Sequence, residues 1–190
     1  MFETHPRSAG VLSPIIEVRI ADIDGSALPV GEAGEIWLKG VSMMQNYWQQ
    51  PGETEKAVQG GWFRTGDIGV LDSEGFLTIV DRIKDVINRS GEKIAAAEVE
   101  SCLLQHEALQ EAAVFSMPHE VTGEQVVAVV VCPQSQVDES QLKAFVAQRL
   151  AGYKVPNKIL VRADPLPRNP AGKMLKAAIR KEFSSLIEEA

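Results

Sequence analysis

The sequence has few cysteines and no long apolar run. Cys102 and Cys132 are its only cysteines, one in a helical pattern and one ending an apolar strand. This placement favours two buried thiols in a reducing compartment over a disulfide. No uninterrupted apolar stretch approaches the roughly 20 residues of a membrane span, and residues 1–6 lack the basic-then-apolar pattern of a secretory signal. These absences predict a cytoplasmic protein without a membrane span.

The sequence also has fewer basic than acidic residues. The 19 lysine and arginine residues are outnumbered by 26 acidic residues, so the formal net charge is −7. A nucleic-acid groove needs a concentrated basic surface, and this balance therefore argues against nucleic acid as a partner. One basic cluster occurs near the end of the chain, at Lys173, Lys176, Arg180 and Lys181. It is either a solvated helix face, which charge runs usually form, or a local anion site.

Two common site signatures are missing. The three histidines are scattered without the spacing of metal ligands, so no metal site is predicted. A glycine-lysine pair occurs at residues 172–173, but Pro167 stands where a phosphate loop requires its first glycine. The sequence therefore lacks the loop that cradles nucleotide phosphates in many ATP-binding proteins.

Residues 1–81 have the pattern of a small β structure. Residues 16–20 alternate between apolar and polar, and residues 34–40 form a second strand pattern bounded by glycines. Residues 71–80 are typical of a hairpin with its turn at residues 73–75. We expect a sheet or open barrel that is not independently well closed.

From residue 82 onwards the pattern alternates between helices and strands. Helical spacing occurs around residues 99–103, and buried strands are predicted at residues 112–115, 126–131 and 159–161. Strands and helices of this size make residues 82–190 a compact α+β domain.

Two further helices are predicted in this second part. Asp138 is a candidate N-cap, with Gln141 at the position of a capping box. The final helix has an apolar stripe at Leu175, Ile179, Phe183 and Leu186. The proline-rich residues 164–170 must be a loop, which delivers Gly172 and Lys173 to a surface.

Four short polar signatures follow one another along the chain: WFRTGD at residues 62–67, DRIKD at 81–85, SGE at 90–92 and NPAGK at 169–173. In this order and at these separations they resemble the C-terminal third of the acyl-adenylate-forming enzymes, which are acyl-CoA synthetases, luciferases and peptide-synthetase adenylation domains. The resemblance covers essentially the whole chain. It implies that residues 1–81 are a β-rich remnant of the large AMP-binding domain and that residues 82–190 are the mobile C-terminal domain.

Asp67 and Arg82 are candidates for nucleotide binding. A carboxylate suits two adjacent ribose hydroxyls because it offers two acceptor oxygens in a fork. The tripeptide at residues 65–67 by itself is more typical of a plain turn. The resemblance favours nucleotide binding over a plain turn, since the matching aspartate and arginine in the family hold the ribose of AMP.

Lys173 is the candidate catalytic residue. Attack of a carboxylate on the α-phosphate of ATP brings two anions together, and a flexible ammonium group that touches both lowers this barrier. Without its context Lys173 would be taken for a solvated loop lysine. Its place after the proline-rich loop and before an amphipathic helix matches the catalytic lysine of the family.

Lys84 and Gly91 are assigned by resemblance. Lys84 occupies the position of the hinge about which the small domain of the family swings between two catalytic poses. Gly91 matches the glycine that lines the tunnel for the pantetheine thiol of coenzyme A. The plain alternatives are a surface lysine and a turn glycine.

The resemblance implies an acid-thiol ligase, an acyl-CoA synthetase that forms an acyl-adenylate and then an acyl-CoA thioester. Its substrates would be a carboxylic acid, ATP with Mg²⁺, and coenzyme A, and AMP would be a product. Overall likeness favours a fatty or otherwise apolar acid. The chain alone is expected to be inactive, since the large N-terminal domain is missing. The alternatives are an adenylation-domain fragment of a peptide synthetase and a non-catalytic module that binds nucleotide or a partner.

Residues 1–80 should normally pack against the larger domain. We therefore expect exposed apolar surface around Trp37, Tyr47 and Trp48, and a tendency of the chain to form a homodimer.

Overall fold

The computed structural model describes residues 5–134 and 137–188. The chain divides into two compact units, and the division falls after Lys84. Two predictions fall partly outside the described residues. They concern residues 1–4, where no signal pattern was predicted, and the side chain of Leu186 in the apolar stripe. No helix among the described residues is both long and apolar enough to cross a membrane. The α+β fold class predicted from the sequence is confirmed, whereas the domain limits 1–81 and 82–190 stay a prediction.

The first unit, residues 5–84, is built on an antiparallel sheet. Its elements are β1 (Gly10–Val11), β2 (Ile16–Ala21), β3 (Ala33–Gly40), α1 (Pro51–Ala57), β4 (Val58–Gln59), β5 (Trp62–Leu71) and β6 (Phe76–Arg82). The strand order is β1-β6-β5-β3-β2, and β4 pairs with the beginning of β5. The strands predicted at residues 16–20 and 34–40 are thus confirmed as β2 and β3.

The predicted hairpin is formed by β5 and β6. The Asp72 side chain closes its turn, because Oδ1 accepts hydrogen bonds from the N–H groups of Glu74 and Phe76, each at 2.9 Å. Both strands are longer than the sequence pattern suggested. The signature at residues 62–67 therefore lies within β5, and Asp81 and Arg82 end β6.

The expectation that Trp37 is exposed is wrong. Its side chain is only 6% exposed, and it belongs with Ile20, Ala21 and Ile36 to the small core of this unit. Tyr47 and Trp48 do lie at the surface, at 41% and 83% exposure. The indole N–H of the buried Trp37 donates a hydrogen bond to the carboxylate of Glu35, so burial leaves no unsatisfied donor.

The second unit, residues 85–188, has a sheet with helices on both faces. Its elements are β7 (Ile87–Arg89), β8 (Glu92–Ile94), α2 (Ala96–Leu103), β9 (Glu111–His119), β10 (Gly123–Val131), α3 (Glu139–Ala147), β11 (Lys158–Arg162) and α4 (Lys176–Glu188). β10 is central: it pairs antiparallel with β9 along its whole length and parallel with β11. The predicted strands are confirmed, and so is the capping box of Asp138 and Gln141 at the start of α3.

Alternate residues of β9 and β10 point to opposite faces of this sheet. Val114, Ala128 and Val130 belong to the core with α2 and α3, whereas Phe115 and Val129 pack with Ile179 and Phe183 of α4. Burial on both faces explains the unbroken apolar run at residues 126–131, which an amphipathic strand would not have.

Leu175 precedes α4 and is 41% exposed, so its place in the apolar stripe of the last helix was wrong. Cys102 and Cys132 are free and buried, as predicted. Burial raises the pKa of the Cys102 thiol, which makes it a poor nucleophile.

Candidate functional site

The Thr65-Gly66-Asp67 segment forms a bulge in β5. Trp37 and Glu35 of β3 are opposite Arg64 and Ile68, so three residues of β5 face Ile36 alone. Gly66 has a φ of +73°, a backbone conformation that glycine adopts without strain. Bulges bend a strand and redirect its side chains.

The bulge brings Asp67 next to Arg82. The two residues are partners across β5 and β6, and Arg82 Nε lies 3.2 Å from Asp67 Oδ1. The Asp67 and Arg82 side chains are 28% and 44% exposed. The carboxylate therefore has one oxygen held by a cation and remains accessible to hydroxyl groups of a ligand.

A cleft of about 480 Å³ opens in front of this pair within the first unit. Its lining includes Asp67, Arg82, Thr65 and Lys84. Lys84 is exposed and lies in a single 3-10 turn, Ile83–Asp85, directly after β6. Three of the five predicted site residues, Asp67, Arg82 and Lys84, thus lie around one cleft.

Glu35 is the residue of this site that the sequence reasoning missed. Its side chain is only 8% exposed. Oε2 accepts hydrogen bonds from Trp37 Nε1 at 2.9 Å and from Arg64 Nε at 3.0 Å, while Oε1 accepts the Gly66 N–H at 3.2 Å. The signal available in the sequence was an acidic residue between Gly34 and the apolar Ile36 and Trp37 of a predicted strand.

Gly91 lies in the second unit, at the turn between β7 and β8. Ser90 and Gly91 have φ values of +53° and +92°. A Cβ atom added to Gly91 would meet no described atom within 4 Å. Glycine is therefore suited to this position by its backbone conformation, and within this chain there is no crowding that a side chain would create.

Lys173 also lies in the second unit, in a closed loop before α4. The Asn169 side chain accepts the Lys173 N–H at 2.8 Å, and the Asn169 N–H donates to the Lys173 carbonyl at 2.9 Å. Arg168 joins the Gly172 carbonyl to Glu111. The Lys173 side chain is exposed, so a fixed backbone carries a free ammonium group.

Two further members of the basic cluster make contacts within the second unit. Lys176 Nζ lies 2.7 Å from Glu100 Oε1, and the Arg180 guanidinium stacks over the Phe115 ring at 5.6 Å. Both cations are therefore engaged within the unit. Among the described residues, no group of three or more histidine, cysteine or acidic side chains could hold a metal ion.

Comparisons with known proteins identify the family. Residues 98–173 match the model of the AMP-binding enzyme C-terminal domain. The long-chain-fatty-acid–CoA ligase FadD13 of Mycobacterium tuberculosis H37Rv is 41% identical over 180 residues, which are 95% of this chain and 35% of that protein. The chain thus spans about a third of the length of this relative.

Solved structures agree with this result. The o-succinylbenzoate CoA synthetase MenE of Bacillus subtilis, in complex with its acyl-adenylate intermediate, matches with a TM-score of 0.86 and 38% identity over 94% of this chain and 37% of its own. The amide bond synthetase McbA of Marinactinospora thermotolerans matches with a TM-score of 0.85 and 35% identity over 93% of this chain and 36% of its own. The chain therefore corresponds to the C-terminal part of AMP-binding, adenylate-forming enzymes, and its residues 98–173 match the C-terminal domain of that family.

Proposed function

We propose that this chain supplies the ribose-binding residues and the catalytic lysine of an ATP-dependent acid-thiol ligase. The complete reaction joins a carboxylic acid to AMP, releases pyrophosphate, and then transfers the acyl group to the thiol of coenzyme A. A fatty or otherwise apolar acid is the proposed substrate, since relatives such as FadD13 are named as long-chain-fatty-acid–CoA ligases. We also propose a cytoplasmic location, which the two free cysteines favour.

The observation that carries this proposal is the Asp67–Arg82 pair at an open cleft. Two vicinal hydroxyls of a ribose present two donors, and the ionised carboxylate of Asp67 can accept both. Arg82 holds this carboxylate in place and keeps donors free for oxygen atoms of the ligand. The donor set therefore fits a ribose.

Lys173 would act in the first half-reaction. Its ammonium group would lie against both the attacking carboxylate and the α-phosphate, and it would offset the negative charge that develops there. The hydrogen bonds of Asn169 fix the backbone from which Lys173 extends, so the cost of ordering falls mainly on one side chain. Mg²⁺ would accompany the phosphates of ATP, because their oxygen atoms are ligands that this ion prefers.

Lys84 and Gly91 would serve the passage to the second half-reaction. Lys84 lies in the turn after β6 and would be the hinge residue. Gly91 would border the path of the thiol, and the open space around it is compatible with a ligand that passes close to the backbone.

A chimeric ligase tests the proposal. Residues 5–188 would replace the corresponding third of FadD13, with the host ligase lacking that third as the negative control. The chimera should form acyl-adenylate and then acyl-CoA from a long-chain acid, whereas the isolated chain should give no acid-dependent pyrophosphate exchange. A folded chimera without adenylation would contradict the proposal.

A second candidate is an amide-forming ligase, because the amide bond synthetase McbA shares this fold at 35% identity. The same chimera, supplied with acyl-adenylate and either coenzyme A or a simple amine, distinguishes the two. Faster thioester than amide formation supports the thiol ligase, and the reverse supports the second candidate.

A further inference from the structure

The buried carboxylate of Glu35 lies directly beneath the ribose-binding bulge. Burial of a carboxylate is costly unless donors compensate it. Here the donors are unequally divided between its two oxygens. Oε2 receives the indole N–H of Trp37 and both Nε and a terminal nitrogen of Arg64, the latter at 2.9 Å, whereas Oε1 receives the backbone N–H of Gly66.

This division gives the two oxygens different tasks. Arg64 also stacks over the Trp37 ring, with 5.4 Å between guanidinium carbon and ring centroid, so the Oε2 side is fixed by a packed aromatic and a cation. A side chain fixed in this way presents Oε1 at a set position. The Gly66 N–H, in the middle of the bulge, is held by this oxygen.

Thr65 fixes the same bulge from its other side. Its hydroxyl donates to the Ile36 carbonyl at 2.8 Å and accepts the Asp67 N–H at 3.0 Å. The backbone of Asp67 is therefore tied to β3 through Thr65, and that of Gly66 through Glu35. Neither Glu35 nor Thr65 needs to touch a ligand in order to set the direction of the Asp67 carboxylate.

We propose that Glu35, together with Thr65, is a positioning residue that holds the Gly66–Asp67 backbone so that the Asp67 carboxylate meets the two ribose hydroxyls of an adenine nucleotide; this rests on the ribose assignment of the proposed function. A core ion pair between Glu35 and Arg64 would need only Oε2. The bond from Oε1 to the Gly66 amide goes beyond such a pair, and it lies at the point where the strand departs from regular pairing.

Glutamine cannot replace Glu35 in this role. An amide has one acceptor oxygen and one donor NH₂ group. If the oxygen faces Trp37 and Arg64, the NH₂ group faces the Gly66 N–H, donor against donor. If the amide is flipped, the NH₂ group faces the cation instead. The first orientation breaks the hydrogen bond to Gly66, and the second keeps that bond but removes the contacts with Trp37 and Arg64 that fix the side chain. The volume of the side chain is unchanged in both.

The test measures ribose preference in the 190-residue chain. AMP and 2′,3′-dideoxyadenosine monophosphate are titrated separately, and binding is followed by the amide NMR signals of residues 65–69. The wild-type chain should prefer AMP by at least about 10-fold, because hydrogen bonds to a charged acceptor are lost in the dideoxy compound. Glu35→Gln should reduce the preference below about 3-fold, whereas Glu53→Gln, a change of an exposed carboxylate paired with Lys56, should keep it.

The outcomes separate the two hypotheses. Equal binding of both nucleotides by the wild-type chain, or no binding of AMP, overturns the ribose assignment and with it the proposed function. A folded Glu35→Gln chain that retains the preference overturns the positioning role alone. A merely structural role would lower the melting temperature and weaken both nucleotides equally, without changing their ratio.

A second pair of variants decides the matter if Glu35→Gln does not fold. Thr65→Val removes the hydroxyl anchor at nearly constant shape, and Thr65→Ser retains it. If the valine variant loses the ribose preference and the serine variant retains it, the positioning role of Glu35 and Thr65 is supported. Retention of the preference in both variants overturns it.

Discussion

At the residue scale, exposure separates carboxylates that are chemically alike. Glu35 is 8% exposed and surrounded by donors of its own unit, whereas Asp67 is 28% exposed and has a single ion-pair partner, Arg82. The carboxylate of Glu35 is engaged by donors of the protein itself, whereas that of Asp67 has acceptor capacity left for a ligand. Burial thus distinguishes a positioning role from a binding role.

The first prediction concerns Asp67. Asp67→Asn removes one acceptor of the fork and the charge, so AMP affinity of the chain should fall about 10-fold or more, in line with about 1.5–3 kcal/mol for a hydrogen bond to a charged group. Calorimetric or NMR titration measures the change. Asp24→Asn, at an exposed loop aspartate, is the control and should bind like the wild type. Unchanged affinity in Asp67→Asn would remove Asp67 from the site.

The second prediction divides the half-reactions between two loops. In the chimeric ligase, Lys173→Ala should lower acyl-adenylate formation about 100-fold or more but spare conversion of supplied acyl-adenylate to thioester. Gly91→Leu should do the reverse. Lys181→Ala controls for loss of a nearby cation, and Gly75→Leu controls for a side chain at positive φ, which is +83° there. Equal loss of both half-reactions in the two variants would contradict the assignment.

At the element scale, the N-terminus of α3 is tied to β11 through one carboxylate. The Glu139 carboxylate forms ion pairs with Lys143 Nζ at 2.8 Å and with Lys158 Nζ at 3.0 Å. It also accepts a hydrogen bond from the Ile159 N–H at 3.2 Å. Burial pushes the pKa of Glu139 upwards, but the hydrogen bonds from Lys143, Lys158 and Ile159 outweigh it and leave the pKa below its ordinary value. The ionised form therefore stabilises the folded second unit.

The third prediction follows from this lowered pKa. Since the folded pKa of Glu139 lies below the unfolded value of about 4.3, the unfolded chain takes up a proton first as the pH falls. Its stabilising contribution is complete above the unfolded pKa and is lost as the pH falls through the folded pKa. Glu139→Gln should therefore reduce the loss of unfolding free energy of the second unit between about pH 6 and about pH 3.5.

The measurement must report on the second unit by itself. All three tryptophans of the chain, residues 37, 48 and 62, lie in the first unit, so hydrogen exchange of the β10 amides is the appropriate probe. Glu107→Gln, at an exposed glutamate, is the matched control. If the two variants show the same pH dependence, the contacts of Glu139 do not contribute to stability.

At the scale of the whole molecule, the first unit exposes apolar side chains. Val41 and Trp48 are 92% and 83% exposed. The predicted homodimer stays a prediction, and the burial of Trp37 narrows the surface that could support it. Exposed apolar surface of this kind favours association.

The fourth prediction tests this surface. Trp48→Ser should shift the chain towards the monomer in light scattering over a concentration series. Val121→Ser, at a side chain of the second unit that is 85% exposed, removes comparable apolar character elsewhere and should leave the association unchanged. A wild-type chain that stays monomeric at all concentrations would remove the hypothesis of a homodimer.

Local chemistry allowed much of this protein to be predicted from its sequence. Strands β2, β3 and β10, the hairpin turn and the capping box of Asp138 follow from periodicity and from residues that are nearest neighbours along the chain. The resemblance to the family was inferred from four signatures, and the match of the family model and of the relatives confirms it. Short-range patterns of this kind are fixed by the chain itself.

Only the tertiary structure determined the contacts of Glu35, Trp37 and the loop of Lys173. Glu35 meets Gly66 across 31 positions of the sequence, through strand pairing and a bulge that no periodicity reveals. The same long-range pairing buries Trp37, which the sequence reading had placed at the surface. Asn169 converts a loop that appeared merely proline-rich into a closed frame around Lys173. The physical reason is the same in all three cases. A buried polar side chain or a backbone group of a loop forms a hydrogen bond with the partner that the fold brings within about 3 Å. Periodicity along the sequence does not reveal that partner.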